Sequence, residues 1–299
     1  MNDILFVPTH PTTPYRTLLK RTLWSAAGAC ALGGLFGWKL EKFWLRIEEH
    51  PMPLKRLGPG FVGARLAHIS DLHCSPLVRE KYLRQCVEVI NSLDVDFVAV
   101  TGDLMTGPRH YARRVAKVLG ELTPKVATVA CLGNHDYGVW RPRGSGKLRT
   151  LGDYLADQLT FADIFVMNNE SRVFRRNGSV IQFVGVEDYW TARYDPDLAF
   201  EDAQADLPTV ALCHNPDGAH DMVARGAQWV LAGHTHGNSK GQTKLANFVL
   251  PINQKHLIAG RYPLGEGRHV YVNRGLGYAR RMNLNSRPEI TVFTLCQEQ

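Results

Sequence analysis

The amino-acid sequence predicts an α/β fold for most of the chain, and three observations lead to this prediction. From about residue 61 onward, short apolar segments alternate with segments of helical periodicity. Most of the apolar segments end directly before a polar cluster, as strands do in α/β domains whose active residues lie on the following loops. The chain has 299 residues, of which 44% are hydrophobic, and this is enough to bury a large core. We therefore expect one large domain over residues 61–299.

The individual elements follow from their local patterns. Each predicted strand is an apolar run, and each predicted helix has apolar residues spaced three or four positions apart. The predicted helices cover residues 81–93 and 109–121. The predicted strands cover residues 64–70, 96–100, 125–136 (where the strand runs into a loop), 179–186, 207–212, 228–231, 248–252, 269–272 and 290–295. No long helix is expected between the last three strands.

The composition excludes several classes of protein. Glycine and proline, with 27 and 16 residues, are near average use, which excludes collagenous and low-complexity chains. The six cysteines contain no CxxC pair, so we expect neither a disulfide framework nor a cysteine-rich zinc module, and a reducing compartment is favoured. The net charge is +7, but residues 1–60 hold eight Lys or Arg against four acidic residues. The nearly neutral body argues against a nucleic-acid partner.

The N-terminal region differs from the rest of the chain. Residues 1–22 are polar and rich in proline, which predicts a flexible tail. Residues 23–38 carry no charge, and three interpretations compete: a membrane-embedded or interfacial helix, a cleaved signal peptide, or a buried helix. Apolar residues spaced i, i+3, i+4, i+7 from Leu40 to Ile47 predict an amphipathic helix, on a membrane or packed on the main domain. We expect residues 23–50 to associate with the inner membrane and the body to face the cytoplasm.

Polar clusters follow five of the predicted strands, and together they indicate chemistry. Each cluster is common by chance, but five of them at successive strand ends are not explained by packing. The clusters are Asp71-Leu72-His73, Gly102-Asp103, Gly133-Asn134-His135-Asp136, His214-Asn215-Pro216 and Gly233-His234-Thr235-His236. Carboxylates, imidazoles and one amide suit Mn²⁺, Fe or Zn²⁺ rather than a thiolate-selecting site. The sequence therefore predicts a metal centre at one edge of a sheet.

These clusters resemble the signature of the calcineurin-like metallophosphoesterase family, which is DxH, GD, GNH(D/E), a lone His and GHxH. The resemblance covers roughly residues 64–295 and implies a four-layer α/β/β/α sandwich, preceded here by the N-terminal hydrophobic and amphipathic helix. It also implies that residues 61–299 form a metallophosphoesterase catalytic domain with two divalent ions. Manganese is favoured, with iron and zinc as alternatives.

The resemblance implies a role for each residue of the clusters. The first ion is expected to be held by Asp71, His73 and His236, the second by Asn134, His214 and His234, and both by the bridging carboxylate of Asp103. His135 is expected to be catalytic, as the proton donor to the leaving oxygen or as a stabiliser of the charged transition state. Asp136 either holds the His135 ring by a hydrogen bond or caps the loop.

Basic residues near the clusters are candidates for contact with the substrate. They are Arg141, Arg143, Lys147, Arg149 and Arg193. Arginines mixed with aromatic residues suit a phosphate joined to a base or sugar, and the alternative is a solvated loop with incidental arginines.

Within the family, the apolar N-terminal segment and the GHTHG motif resemble a membrane-associated branch. That branch includes generic bacterial phosphoesterases and the chlamydial-type UDP-2,3-diacylglucosamine pyrophosphatases of lipid A biosynthesis. The chain departs from the commoner GHTHGGQ pattern, since it has Asn238 and Lys240 in the run GHTHGNSK. The expected partners are a lipid-linked phosphate or pyrophosphate and the membrane surface. The alternatives are a broad-specificity phosphodiesterase or phospholipid phosphatase and, in a different class, a non-enzymatic membrane-tethered binding protein.

Overall fold

The computed structural model describes residues 20–25, 27–29, 44–140, 149–237, 252–278 and 287–298, with only the backbone at 149. The chain divides into two compact units, Met1–Glu41 and Lys42–Gln299. In the first unit residues 20–25 and 27–29 are helical, and the other residues of this unit lie outside the described residues. In the described part of the chain, no helix is long and apolar enough to cross a bilayer.

Two six-stranded sheets form the centre of the second unit within the described residues. The first sheet contains β1 (Arg46–Leu54), β2 (Arg65–Ser70), β3 (Phe97–Thr101), β4 (Ala127–Cys131), β5 (Ile164–Val166) and β12 (Glu289–Gln297), in the order β1-β12-β2-β3-β4-β5. The second contains β6 (Glu170–Arg176), β7 (Ser179–Gly185), β8 (Thr209–Leu212), β9 (Trp229–Ala232), β10 (Gly260–Pro263) and β11 (His269–Val272), in the order β10-β11-β9-β8-β7-β6. Both sheets are mixed, because β12 runs antiparallel to β2, and β6 and β10 run antiparallel to their neighbours.

Helices cover the outer faces of the two sheets. They are α1 (Glu80–Ser92), α2 (His110–Leu119), α3 (Arg149–Thr160), α4 (Pro196–Phe200) and α5 (Ala219–Ala224). The first three share an apolar cluster with the outer face of the first sheet, and the last two share one with the second sheet. A third cluster lies between the sheets. The layers are therefore helices, sheet, sheet and helices.

The side-chain alternation of β3 shows how the sequence specifies these layers. Phe97 and Ala99 belong to the cluster between the sheets, while Val98 and Val100 belong to the cluster under the helices. Successive side chains of a strand point to opposite faces, so a strand covered on both sides is apolar at every position. This explains why the central strands are unbroken apolar runs and why the sequence predicts them well.

One prediction for the N-terminal region is wrong. The amphipathic helix expected up to residue 50 is replaced from Arg46 onward by β1, which pairs in parallel with β12. Pro51 and Pro53 disfavour a helix, and the side chains of Met52 and Leu54 alternate into the core between the sheets. The compact unit consequently begins near Lys42 and not at residue 61.

The remaining predicted elements occur in the predicted order. The two predicted helices correspond to α1 and α2, and eight of the nine predicted strands correspond to β2–β4, β7–β9, β11 and β12. The strand predicted at 248–252 lies outside the described residues except for Ile252. The structure adds β5, β6 and β10, which sequence analysis missed.

Parallel pairing brings the polar clusters together. Strands β2, β3 and β4 are parallel neighbours, and so are β8 and β9, and each of the five ends just before one cluster. Carboxyl ends of parallel strands meet at one edge of a sheet. We call the edge of the two packed sheets at the carboxyl ends of these strands the site edge. The edge at their amino ends is the opposite edge.

Candidate dinuclear metal centre

Two groups of buried side chains converge at the site edge. The first group is Asp71, His73 and His236, and the second is Asp103, His214 and His234. Within each group the potential ligand atoms all lie within 4.8 Å of one another. Three donor atoms converging at this range can hold one ion.

The carboxylate of Asp103 links the two groups. Its Oδ2 atom lies 3.3 Å from Nε2 of His214 in the second group and 3.6 Å from Nε2 of His73 in the first. Its Oδ1 atom accepts a hydrogen bond of 2.8 Å from the backbone N–H of His135. One oxygen is therefore fixed by the backbone, and the other faces both groups, which is the position required of a bridging ligand.

Two imidazoles of the centre are held with a nitrogen directed inward. His214 donates its Nδ1–H to the carbonyl oxygen of Thr101 at 2.8 Å, which leaves the lone pair on Nε2. His73 Nδ1 is hydrogen-bonded to Thr106 Oγ1 at 2.7 Å, and its Nε2 lies 3.0 Å from Nε2 of His236. Metal-binding histidines are commonly oriented in this way, by a hydrogen bond at the other ring nitrogen.

Two buried oxygen atoms of the centre accept no hydrogen bond, and they indicate whether these residues suit a cation. Asn134 donates from Nδ2 to the carbonyl oxygen of Val139 at 2.6 Å, and its Oδ1 accepts no hydrogen bond. Asp71 accepts from Ser70 Oγ at 2.6 Å and from the backbone N–H of His234 at 2.9 Å, both at Oδ2, while its Oδ1 accepts none. Buried acceptors are nearly always satisfied, so these two oxygens fit ligands for divalent ions.

The backbone at the centre is strained. Asp71, His73, Asp103, His234 and His236 have φ values of 50°, 48°, 53°, 71° and 53°, in the left-handed region that residues other than glycine rarely adopt. Each such residue costs on the order of 1 kcal/mol or more. The strain falls on five expected ligands. The direction in which their side chains point is therefore maintained at the expense of an unfavourable backbone conformation.

Glycines permit the close approach of the clusters. A Cβ atom at Gly102, whose φ is 70°, would lie 2.5 Å from the His214 ring. A Cβ atom at Gly133 would lie 2.5 Å from Oδ1 of Asp103. Any larger residue at either position would push the second group apart.

The electrostatics of the centre favour added positive charge. Burial raises the pKa of Asp71. Burial also acts to raise the pKa of Asp103, but the imidazoles of His214 and His135 outweigh it and hold that pKa well below its usual range. Burial alone would lower the pKa of His214, yet Asp103 outweighs it and raises that pKa. Buried carboxylates thus depend on adjacent cations for their ionised form, a requirement that divalent ions satisfy.

His135 and Asp136, the expected catalytic pair, occupy different environments. His135 Nε2 lies 3.9 Å from Oδ2 of Asp103, and its ring meets the exposed Trp140 edge-on at a centroid distance of 4.2 Å. Asp136 accepts from the backbone N–H of Gly133 at 2.9 Å and of Met105 at 3.0 Å, one at each oxygen. This matches the loop-cap alternative for Asp136. Burial, followed by the charge of Asp103, raises the pKa of Asp136 to about 8.

The expected substrate residues are not brought together by the described structure. Arg141, Arg143, Lys147 and the side chain of Arg149 lie outside the described residues. Arg193 forms ion pairs of 2.5 Å with Asp153 and 2.9 Å with Glu187. Both arms of its guanidinium therefore bind protein carboxylates.

Two residues outside the set of expected ligands support the centre. Trp190 is buried and packs edge-on against His234 at a centroid distance of 4.7 Å. Asp188 accepts the backbone N–H of Trp190 at 2.9 Å, and burial raises the pKa of its carboxyl to about 7. The family resemblance suggests that this loop lies near the metals, and both residues follow the apolar run that forms β7.

The fold and the two linked groups define a hydrolytic centre of the two-metal class. Residues 64–238 match the Calcineurin-like phosphoesterase family, and the chain belongs to this family. The chain is thus a hydrolase of the metallophosphoesterase type, with two His/Asp groups for the divalent ions that this family uses.

Three curated proteins are similar over nearly the whole chain. An uncharacterized metallophosphoesterase of Bacillus subtilis, YkuE, is 29% identical, and the match covers 90% of this chain and 93% of the relative. The phosphodiesterase YaeI of Escherichia coli is 29% identical, with 92% and 98% covered. The UDP-2,3-diacylglucosamine pyrophosphatase LpxG of Chlamydia trachomatis is 28% identical, with 87% and 92% covered.

Proposed function

We propose that this hydrolase cleaves the pyrophosphate bond of a membrane-borne nucleotide-lipid, UDP-2,3-diacylglucosamine, and releases UMP and the lipid phosphate known as lipid X. The hydrolytic part of this proposal rests on one observation, the pair of buried groups linked by the Asp103 carboxylate. The similarity to a UDP-2,3-diacylglucosamine pyrophosphatase supports the substrate. The uncharged segment at residues 23–38 supports a location at the inner membrane with the catalytic unit in the cytoplasm.

The residues of the centre have different roles in binding the two ions. In this proposal Asp71, His73 and His236 would hold one ion, Asn134, His214 and His234 would hold the other, and the Asp103 carboxylate would serve both. When bound, two divalent ions at such a centre supply an activated water and neutralise charge on the phosphate oxygens. Manganese is our first candidate, since the oxygen and imidazole donors contain no thiolate.

His135 supplies the proton in this proposal. Its ring lies beside the bridging candidate Asp103 and is not among the side chains of either converging group, and this position supports a role as proton donor to the leaving oxygen. The backbone hydrogen bond from His135 to Asp103 fixes the loop, and Trp140 borders the ring on the exposed side. General acid catalysis by a positioned histidine contributes about 10²–10⁴-fold to a rate.

The deciding experiment measures UMP release by purified full-length protein from UDP-2,3-diacylglucosamine in mixed micelles. We expect release with Mn²⁺ and none with a chelator, and re-addition of metal should restore it. A soluble aryl phosphodiester serves as the parallel substrate. Metal-dependent cleavage of the aryl ester without UMP release would reject the nucleotide-lipid and keep the hydrolytic centre.

A broad-specificity membrane-associated phosphodiesterase is the second candidate. The similarity to the Escherichia coli protein named a phosphodiesterase favours it. The departure from the commoner family pattern at Asn238 and Lys240 also favours it, because both positions follow the expected ligand His236. The two candidates differ in rate ratio: the second predicts that small aryl diesters are cleaved at least as fast as the lipid.

A further inference from the structure

Strand β1, the first strand of the catalytic unit, begins at the site edge. Strand β1 begins at Arg46 opposite Glu289, the first residue of β12. Because β12 runs antiparallel to β2, the start of β12 lies beside the end of β2. The backbone N–H of Glu289 donates to the carbonyl oxygen of Gly275 at 3.0 Å, and a Cβ at Gly275 would lie 2.6 Å from Cβ of Asp71. Strand β1 thus begins beside the metal centre.

Large exposed apolar side chains lie at this same edge. Leu77, 68% exposed, lies on the loop between the expected ligand His73 and helix α1. Trp140, 57% exposed, borders the His135 ring. Trp44, 66% exposed, precedes β1, so that three loops at the edge each present one such residue. Tryptophan and leucine at a water-exposed rim are typical of surfaces that enter the interfacial layer of a bilayer.

Basic side chains lie beside these apolar residues. Arg79 and Lys81 are exposed at the start of α1, and within the described part of the chain neither forms an ion pair. They border a cleft of about 420 Å³ that includes Pro76 and Arg114. The acid between them, Glu80, is already paired with Arg84 at 3.2 Å and faces Arg114 at 3.5 Å.

The opposite edge differs in charge. A smaller cleft of about 220 Å³ there also has basic residues. However, Lys55 donates from Nζ to the carbonyl oxygen of Glu266, and Arg268 pairs with the Glu266 carboxylate at 3.5 Å. The lining of this cleft also includes the acids Glu266 and Glu298, which offset part of the charge of its three basic residues.

We propose that the site edge is the surface by which the catalytic unit docks on an anionic lipid bilayer, with Leu77, Trp44 and Trp140 in the interfacial layer and Arg79 and Lys81 on lipid phosphates. The metal centre then opens toward the lipid. The inference rests on the membrane association in the proposed function and not on its substrate. A bilayer is favoured over a partner protein because the uncharged segment at residues 23–38 precedes β1 in the sequence, and β1 begins at this edge.

The test compares two probe positions on full-length protein bound to vesicles of phosphatidylglycerol and phosphatidylcholine. An environment-sensitive dye is attached at Leu77→Cys or, as the matched control, at Phe161→Cys, in a background with Cys30→Ser and Cys296→Ser. Phe161 is 84% exposed and lies just before β5, at the opposite edge. The other four cysteines are buried. Nitroxide lipids should quench the dye at 77 several-fold more than the dye at 161.

Stronger or equal quenching at 161 would overturn the proposal, as would absence of vesicle binding. The readout needs no substrate, so inactivity toward UDP-2,3-diacylglucosamine would reject the proposed substrate and leave the docking result intact. Circular dichroism spectra of both labelled proteins verify that each variant is folded.

Charge reversal provides an independent readout. Lys81→Glu should weaken binding to anionic vesicles by about tenfold or more, because each basic residue near such a surface contributes about 1 kcal/mol of binding free energy. Lys117→Glu is the matched control, because Lys117 is an exposed lysine in the last turn of α2, toward the opposite edge. The difference should vanish in high salt. Equal weakening by both substitutions would contradict the proposed orientation.

Discussion

At the scale of single residues, Asp103 is the side chain that we propose as the ligand shared by the two ions. Its Oδ2 atom is shared between His214 and His73, while its Oδ1 is fixed by a backbone N–H. Removal of this carboxylate should therefore affect both ions, whereas removal of a residue that is not an expected ligand should affect neither.

We predict that Asp103→Ala lowers the metal content from two ions per chain to less than one and reduces hydrolysis of an aryl phosphodiester at least about 10³-fold. His135→Ala should keep both ions and lower kcat by about 10²–10⁴-fold. Metal content by elemental analysis and kcat at saturating Mn²⁺ separate the two variants. Equal metal loss in both would show that His135 is a ligand and not the proton donor.

The residue scale also shows what the sequence predicted about the site. The seven expected ligands fall at the structure's converging groups or beside them, because each follows directly on a strand that its apolar run reveals. Arg193 was not predictable in this way. Its partners Asp153 and Glu187 come from separate elements, and only the folded chain brings those carboxylates to the guanidinium.

At the scale of elements, the local sequence pattern was sufficient to predict a strand where both faces of that strand are covered. Strands β2, β3 and β4 are continuous apolar runs whose identity does not depend on their partners. Strand β1 depends on its partner β12, which lies at the far end of the chain. Its helical periodicity between Leu40 and Ile47 was a local signal, and tertiary pairing overrides such signals.

The assignment of β1 to the core leads to a stability prediction. Met52 is fully buried between the sheets and pairs in register with Leu295. Met52→Ala should lower the free energy of unfolding by about 2–5 kcal/mol. Ile47→Ala on the same strand should change it by less than about 0.5 kcal/mol, because Ile47 is partly exposed. Urea unfolding of both variants measures the difference, and a similar small effect at both positions would mean that β1 is not part of the core.

At the scale of the whole molecule, the centre is assembled from clusters spread from Asp71 to His236. The order of the clusters along the chain indicated a common site edge, since parallel strands align their carboxyl ends. The order did not show which histidine joins which carboxylate, and that grouping was expected only from the family resemblance. The three-dimensional packing of two sheets supplies it, by placing the ends of β8 and β9 against those of β2 and β3.

Acid stability is likewise a property of the whole molecule, because it depends on the protons bound by the folded and unfolded chains. His68 is fully buried on β2, its Nε2 is hydrogen-bonded to Thr101 Oγ1 at 2.8 Å, and burial lowers its pKa from 6.5 to about 3. Above pH 6.5 neither state binds this proton. Between pH 6.5 and about 3 only the unfolded chain binds it, so the free energy of unfolding falls as the pH falls. The limiting slope is about 1.4 kcal/mol per pH unit.

We therefore predict that His68→Gln makes this decline shallower, even if the substitution costs stability at neutral pH. The packing cost of glutamine is the same at every pH, whereas the proton linkage acts only in the acid window. The measurement is urea unfolding at several pH values between 7.5 and 4, in chelator so that metal release does not contribute. His110→Gln, an exposed histidine at the start of α2, is the control and should leave the slope unchanged. If the His68 variant keeps the full slope, the acid sensitivity belongs to other groups, and His68 is protonated in the folded chain.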